Sequence, residues 1–194
     1  MDYILNSFPV SDEEYHKLDE LFGDLAHYAA WQLVQKNVKN NHTDDQEDIA
    51  QEIRWASIRA GSYFKRQVYL EKCMLTCRKH VKDKVVLRVL EQLEYLWRNR
   101  TKHGANKQKF GEHQERILDD IVGKYVPIKD QPRKDTPLDF NRKFVTYCKA
   151  IIWNCQKSIG KKITREKSIR SGLVSLSEYD YLVSSNGKIS VVRV

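Results

Sequence analysis

Apolar side chains recur at three- and four-residue steps through most of this chain, and that period commits it to helices. Leu18, Leu21, Phe22, Leu25, Tyr28, Ala29 and Leu33 follow it across residues 12–37. Ser11 is the natural cap of that helix, with Glu14 three residues on and acid in the first turn. After the polar run Asn40-Asn41-His42-Thr43, Thr43 or Asp44 caps a second helix whose inner face is Ile49, Ile53, Ala56 and Ile58. Gly61 predicts its end or a break. From Phe64 the period resumes through Val68, Tyr69, Cys73, Leu75, Cys77 and Val81. It pauses at Lys82-Asp83-Lys84 and continues through Val85, Leu87, Leu90, Leu93, Leu96 and Trp97, a stripe that reads as core. Residues 100–109 read as a polar basic loop, 110–124 as a short helix, and Pro127, Pro132 and Pro137 as an extended linker. A helix over 141–160 buries Phe144, Tyr147, Cys148, Ile151, Ile152, Cys155 and Ile159. Only the end changes period: Tyr181 and Val183, then Ser185-Asn186-Gly187, then Ile189 and Val191 form a hairpin signal. The expected fold is all-α with a C-terminal β-hairpin.

Charge is distributed unevenly. Residues 1–63 hold 5 Lys/Arg against 12 Asp/Glu, whereas the remainder holds 29 against 14. An acidic first third and a basic remainder predict two kinds of partner, one of them a polyanion bound in a salt-dependent way. No apolar run approaches the roughly 20 residues a bilayer requires, and the first residues lack a signal-peptide pattern, so a cytoplasmic protein without a membrane partner is expected. Cys73 and Cys77, and Cys148 and Cys155, sit four and seven apart on helical faces, where thiols pack as small hydrophobes. Neither His103 nor His113 supplies a paired ligand at zinc-site spacing, and neither metal nor cofactor is expected.

The second helix opens Asp44-Asp45-Gln46-Glu47-Asp48-Ile49-Ala50-Gln51-Glu52, with Gly61-Ser62-Tyr63-Phe64 beyond it. Phe144-Val145-Thr146-Tyr147 follows much later, then a basic run, then Ser175-Leu176-Ser177-Glu178. In this order the segments resemble region 2 of the sigma-70 family, most closely the divergent factors that bacteriophages use for late genes. The resemblance implies a helical domain from residues 1–64 and 135–180, a helical insertion over 65–134 and a tail over 181–194. The helix over 12–37 takes the part of the family's packing helix. The resemblance further implies a non-enzymatic specificity subunit. Asp48, Gln51, Glu52 and Trp55 would grip the clamp helices of bacterial RNA polymerase core. Tyr147 and Trp153 would stack on unpaired promoter bases, Asn154 would meet a base edge, and Lys157, Lys161, Lys162, Arg165, Lys167 and Arg170 would hold phosphates.

Several features depart from the family pattern. About 75 residues separate segments that the family joins with a few. Ala150 and Ile151 stand where housekeeping factors carry paired tryptophans, which leaves Trp153 as the stacking candidate. No region-4 helix-turn-helix and no acidic-apolar clamp-binding tail is present, so a second protein is expected to supply those functions. Tyr69, Cys73, Cys77, Lys79 and Val81 echo Tyr147, Ile151, Cys155, Lys157 and Ile159, so residues 66–84 compete with 140–162 for the melting role. Two other classes remain open. One is a helical DNA-binding regulator that never meets polymerase. The other is a metal-dependent nuclease built on His42 and the acids of residues 44–52.

Overall fold

A computed structural model describes the backbone of residues 3–37, 44–99, 110–177, 179–183 and 189–193, and the side chains of residues 3–36, 46–99 and 110–166. The polar loop at 40–43, the basic loop at 100–109 with His103, and the Ser185-Asn186-Gly187 turn therefore lie outside the described residues, as do the side chains of Asp44 and Asp45. Six helices account for most of it: α1 Tyr3–Ser7, α2 Asp12–Asn37, α3 Asp44–His80, α4 Lys84–Arg98, α5 Glu112–Tyr125 and α6 Arg142–Ser177. Two short strands, β1 Tyr179–Val183 and β2 Ile189–Arg193, pair antiparallel with Tyr181 opposite Val191. No helix among the described residues is long and apolar enough to cross a membrane.

Local chemistry sets the helix starts. Ser11 Oγ accepts from Glu14 N–H at 3.3 Å, and Glu14 Oε2 accepts from Ser11 N–H at 2.7 Å, a reciprocal capping box. Asp83 caps α4 by accepting from the N–H groups of Val85 and Val86, and Asn141 caps α6 by accepting from Phe144 N–H at 3.0 Å. Gly61 does not end a helix; α3 runs straight through it. A Cβ at this position would lie 3.1 Å from Val10 Cγ2 and 3.4 Å from Leu138 Cδ2, so glycine serves close packing rather than termination.

The chain divides into two compact units, residues 1–18 with 58–146 and residues 19–57 with 147–194. The first is built on the C-terminal part of α3, with α4 and α5. Leu70, Cys73, Cys77, Leu90, Leu93 and Trp97 meet in one buried cluster, so the α4 stripe is core. Leu75 and Val85, which share the sequence period, stay 63% and 70% exposed. The proline segment is not a free linker. A single 3-10 turn occupies Ile128–Asp130, Lys134 Nζ lies 2.6 Å from Asp119 Oδ2, and Leu138 N–H donates to the Glu14 carboxylate.

The second unit is a helix trio: α2 from residue 19, α3 as far as residue 57, and α6 from residue 147. Ala26, Ala29 and Ala30 of α2, with Ala50 and Ala56 of α3, are buried, so small side chains let the helices come close. Phe22, Leu33, Ile53, Cys148, Ile152 and Ile159 complete the core. Leu21 and Tyr28 do not join it, being 45% and 49% exposed. The alanines set which side of α2 faces inward, and these two residues fall on the other.

Candidate partner and nucleic-acid interface

On α3 the alternation of apolar and polar residues separates two faces. Ile49, Ala50, Ile53 and Ala56 are buried, while Asp48, Gln51, Glu52 and Trp55 are exposed, Trp55 by 54%. At about 100° per residue these four fall within roughly a third of the helix circumference and span about two turns. Asp48 and Glu52 enter no ion pair among the described residues. Glu47, one residue away, behaves differently. Its carboxylate lies 3.8 Å from Arg54 Nη1 and 3.8 Å from His27 Nδ1.

Arg54 locks α3 to α2. Its Nη2 lies 2.6 Å from His27 Nε2 and its Nε 3.3 Å from Asp19 Oδ1. The guanidinium can only donate, so His27 Nε2 accepts and the ring proton sits on Nδ1, toward Glu47. Arg54 Nε is buried and, though within ion-pair range of Asp19, makes no hydrogen bond. Among the described acids at the start of α3, Glu47 takes a structural role while Asp48 and Glu52 face outward, and the three do not converge. Among the described residues no three His, Cys, Asp or Glu side chains gather as a metal-ligand set.

α6 carries the second surface. Cys148, Ile152, Gln156 and Ile159 are buried, and burial pushes the Cys148 thiol up to about 12, out of nucleophilic range. Tyr147 is half-buried, while Asn154, Lys157, Lys161, Lys162 and Arg165 are exposed. Tyr147, Asn154 and Lys161 are spaced by seven and Arg165 follows four later, so they form one strip about 27 Å long at 1.5 Å per residue. Trp153 is half-buried and stands six residues from Tyr147, about 120° around the helix. The two aromatics that sequence puts together thus occupy opposite flanks of the exposed face. The side chains of Lys167 and Arg170 lie outside the described residues, as do those of Ser175 to Glu178.

Gln156, which the sequence does not single out, organises the flank that meets α2. Its Nε2 donates to the Ala29 carbonyl at 2.9 Å and to Gln32 Oε1 at 3.1 Å. Gly160, one turn on, lets Leu33 approach to 3.1 Å of where a Cβ would stand. The polar group is satisfied within the core, which fixes how α6 lies on α2. The competing candidate at residues 66–84 has a different environment. Tyr69, Cys73 and Cys77 are buried, and Tyr69 donates to Asp119 Oδ1 at 2.7 Å. Burial pushes the Cys73 and Cys77 thiols up to about 12 and about 11. The aromatic ring of that segment lies in the core, whereas Tyr147 and Trp153 of α6 are half-buried. Comparison with protein-family models, with curated proteins and with solved structures gave no match to this chain.

Proposed function

We propose that this chain is a sigma-like specificity subunit of bacterial RNA polymerase, working in the cytoplasm of a bacterial host. It would bind core polymerase through α3 and opened promoter DNA through α6. The observation that carries the reading is the pairing of two outward faces in one helix trio. One is acidic with an exposed tryptophan, Asp48, Gln51, Glu52 and Trp55; the other is basic, with Tyr147, Asn154 and four exposed cations. The sequence resemblance assigns those faces to the clamp helices and to DNA respectively.

The chemistry is recognition rather than bond making. Asp48 and Glu52, which enter no ion pair among the described residues, complement a basic partner surface, while Trp55 supplies the large apolar contact from which interface anchors are made. On α6, Lys157, Lys161, Lys162 and Arg165 neutralise phosphates and position the duplex without reading it. Tyr147 stacks on an unpaired base, and Asn154, two turns along the same strip, offers donor and acceptor to a base edge.

A pull-down with purified polymerase core tests this reading. The wild-type chain retains core, and the double substitution Gln51→Ala with Glu52→Ala weakens retention at least several-fold while the helical circular-dichroism signal is unchanged. Equal retention would remove the clamp assignment. The basic α6 face alone would then describe a DNA-binding regulator that works without polymerase.

A further inference from the structure

The outer side of α2 has no role in the reading above, where α2 only packs. Yet Leu21, Tyr28 and Trp31 are 45%, 49% and 45% exposed there. Leu21, Asp24, Tyr28, Trp31 and Gln35 follow one another by three and four residues, which puts them on one strip. Single exposed apolar residues are ordinary, whereas contiguous ones mark binding surfaces. Tyr28 and Trp31 stack on each other, with ring centroids 5.9 Å apart and planes inclined by 22°.

The pair is connected to α6. Tyr28 Oη accepts from Gln32 Nε2 at 2.9 Å, and Gln32 Oε1 accepts from Gln156 Nε2 at 3.1 Å. Gln156 meets Ala29 and Gln32, and Gly160 meets Leu33, so the two helices progress in the same sense. Tyr28 and Trp153 each stand about one turn before the linked glutamines. Residues 25–37 contain no Asp or Glu, and neither do residues 142–165, while Asp24 lies one turn before Tyr28 and Glu47 of α3 approaches His27 to 3.8 Å. Lys36, Lys149 and Lys157 are exposed on the same stretches. Paired aromatic rings on stretches of α2 and α6 whose only formal charges are positive suit a polyanion that also presents flat rings. The acid begins at Asp24, so Leu21 lies beyond the suitable stretch.

We infer that the stacked Tyr28–Trp31 pair is a platform for unpaired bases of single-stranded nucleic acid whose phosphates lie along Lys149 and Lys157. The inference rests on the DNA half of the proposed function and extends that site from α6 onto α2. A strand crossing from Asn154 past Lys157 toward the Gln156–Gln32 contact stays on stretches that carry no Asp or Glu.

The test measures anisotropy of the full chain with a labelled oligothymidylate of about 12 nucleotides and with a duplex of equal length. Tyr28→Ala and Trp31→Ala should each weaken single-strand binding by roughly 5- to 30-fold, leave duplex binding within about twofold, and Trp31→Phe should restore most of the loss. Photo-crosslinking of the unaltered chain to an iododeoxyuridine-containing oligonucleotide should place adducts in the tryptic peptide 18–36. It requires no substitution and is unaffected by any folding defect in the variants. Wild-type-like single-strand binding by both alanine variants, with Lys157→Ala and Lys161→Ala still weakening it, overturns the platform and leaves the α6 reading standing. Loss of polymerase retention in Tyr28→Ala with Trp31→Ala, with single-strand binding intact, overturns it in favour of a protein partner. Failure of the wild-type chain to bind the oligonucleotide overturns both the platform and the DNA half of the proposed function.

Discussion

The two units treat charge in opposite ways. In the first, carboxylates are drawn inside: Glu14, Glu94 and Glu115 are 7%, 7% and 0% exposed. Each holds a cation, Glu14 and Glu115 meeting Lys65 and Arg66 at 2.7 Å and Glu94 accepting from Arg78 Nη2 at 2.7 Å. In the second, Asp48, Glu52, Lys157, Lys161, Lys162 and Arg165 are exposed and enter no ion pair among the described residues. Among the described residues its internal ion pairs are those of Arg54 with Asp19 and Glu47 at the α2–α3 contact. Residues 65–134, whose composition looks like more basic surface, use part of their charge within the first unit. The helix trio leaves its charge available to something else. Net charge cannot make that distinction; burial does.

The contrast is tested most severely at Glu115. Its side chain is fully buried and holds Arg66 Nε at 2.7 Å, while Arg66 itself is only 12% exposed. Glu115→Ala leaves that guanidinium uncompensated, and unfolding by urea should show a loss of about 3–5 kcal/mol. A loss below about 1 kcal/mol would mean that water screens the pair, and the first unit would resemble the second.

Glu14 gives the next largest effect, and it depends on pH. Burial raises its pKa, but the Lys65 ammonium and the N–H groups of Ser11 and Leu138 outweigh that, and the net result lies below the ordinary 4.5. The unfolded chain therefore binds this proton more readily than the folded one. The stabilisation is fully present above about pH 4.5 and disappears as pH falls through the lowered folded value. Glu14→Gln removes the titration, so the stability gap between wild type and variant should narrow on going from about pH 6 to pH 3. A gap that stays constant would assign the contribution to packing rather than to the carboxylate.

How much of this was legible in the sequence follows the strength of local signals. The start of α2 was legible because Ser11 and Glu14 satisfy each other's backbone within one turn. The pause at residues 82–84 was legible because Asp83 is a good cap. The path of α3 through Gly61 was not, since the reason lies in Val10 and Leu138, far away in the chain. Glu14 was legible as a capping partner but not as the acceptor for Leu138 N–H, which is 124 residues distant. In the candidate site, the outward set on α3 could be read because buried Ile49 and Ile53 alternate with it. The separation of Tyr147 from Trp153 follows from a six-residue spacing and was available to helical geometry. Tyr28 and Trp31 were harder to recognise. Alanines supply the inward face of α2, so larger residues on the outer face look like the core.

The smallest effect on stability is expected at Lys161 and Lys162, where the contrast can be sharpened in the other unit. Both side chains are exposed on α6. Their double substitution by alanine removes two charges that no described residue neutralises, and alanine is the better helix former. Unfolding free energy should therefore change by less than about 0.5 kcal/mol. DNA binding should respond far more. If each lysine displaces a counterion from one phosphate, the slope of log affinity against log salt should fall in magnitude by about 1.4–1.8, at roughly 0.7 to 0.9 per phosphate. A stability loss approaching that of Glu115→Ala would show that these lysines serve the fold after all, and the distinction between the units would fail. An unchanged salt slope with unchanged stability would leave the two lysines as solvated surface and move the phosphate path toward Lys149 and Lys157, on the flank that faces α2.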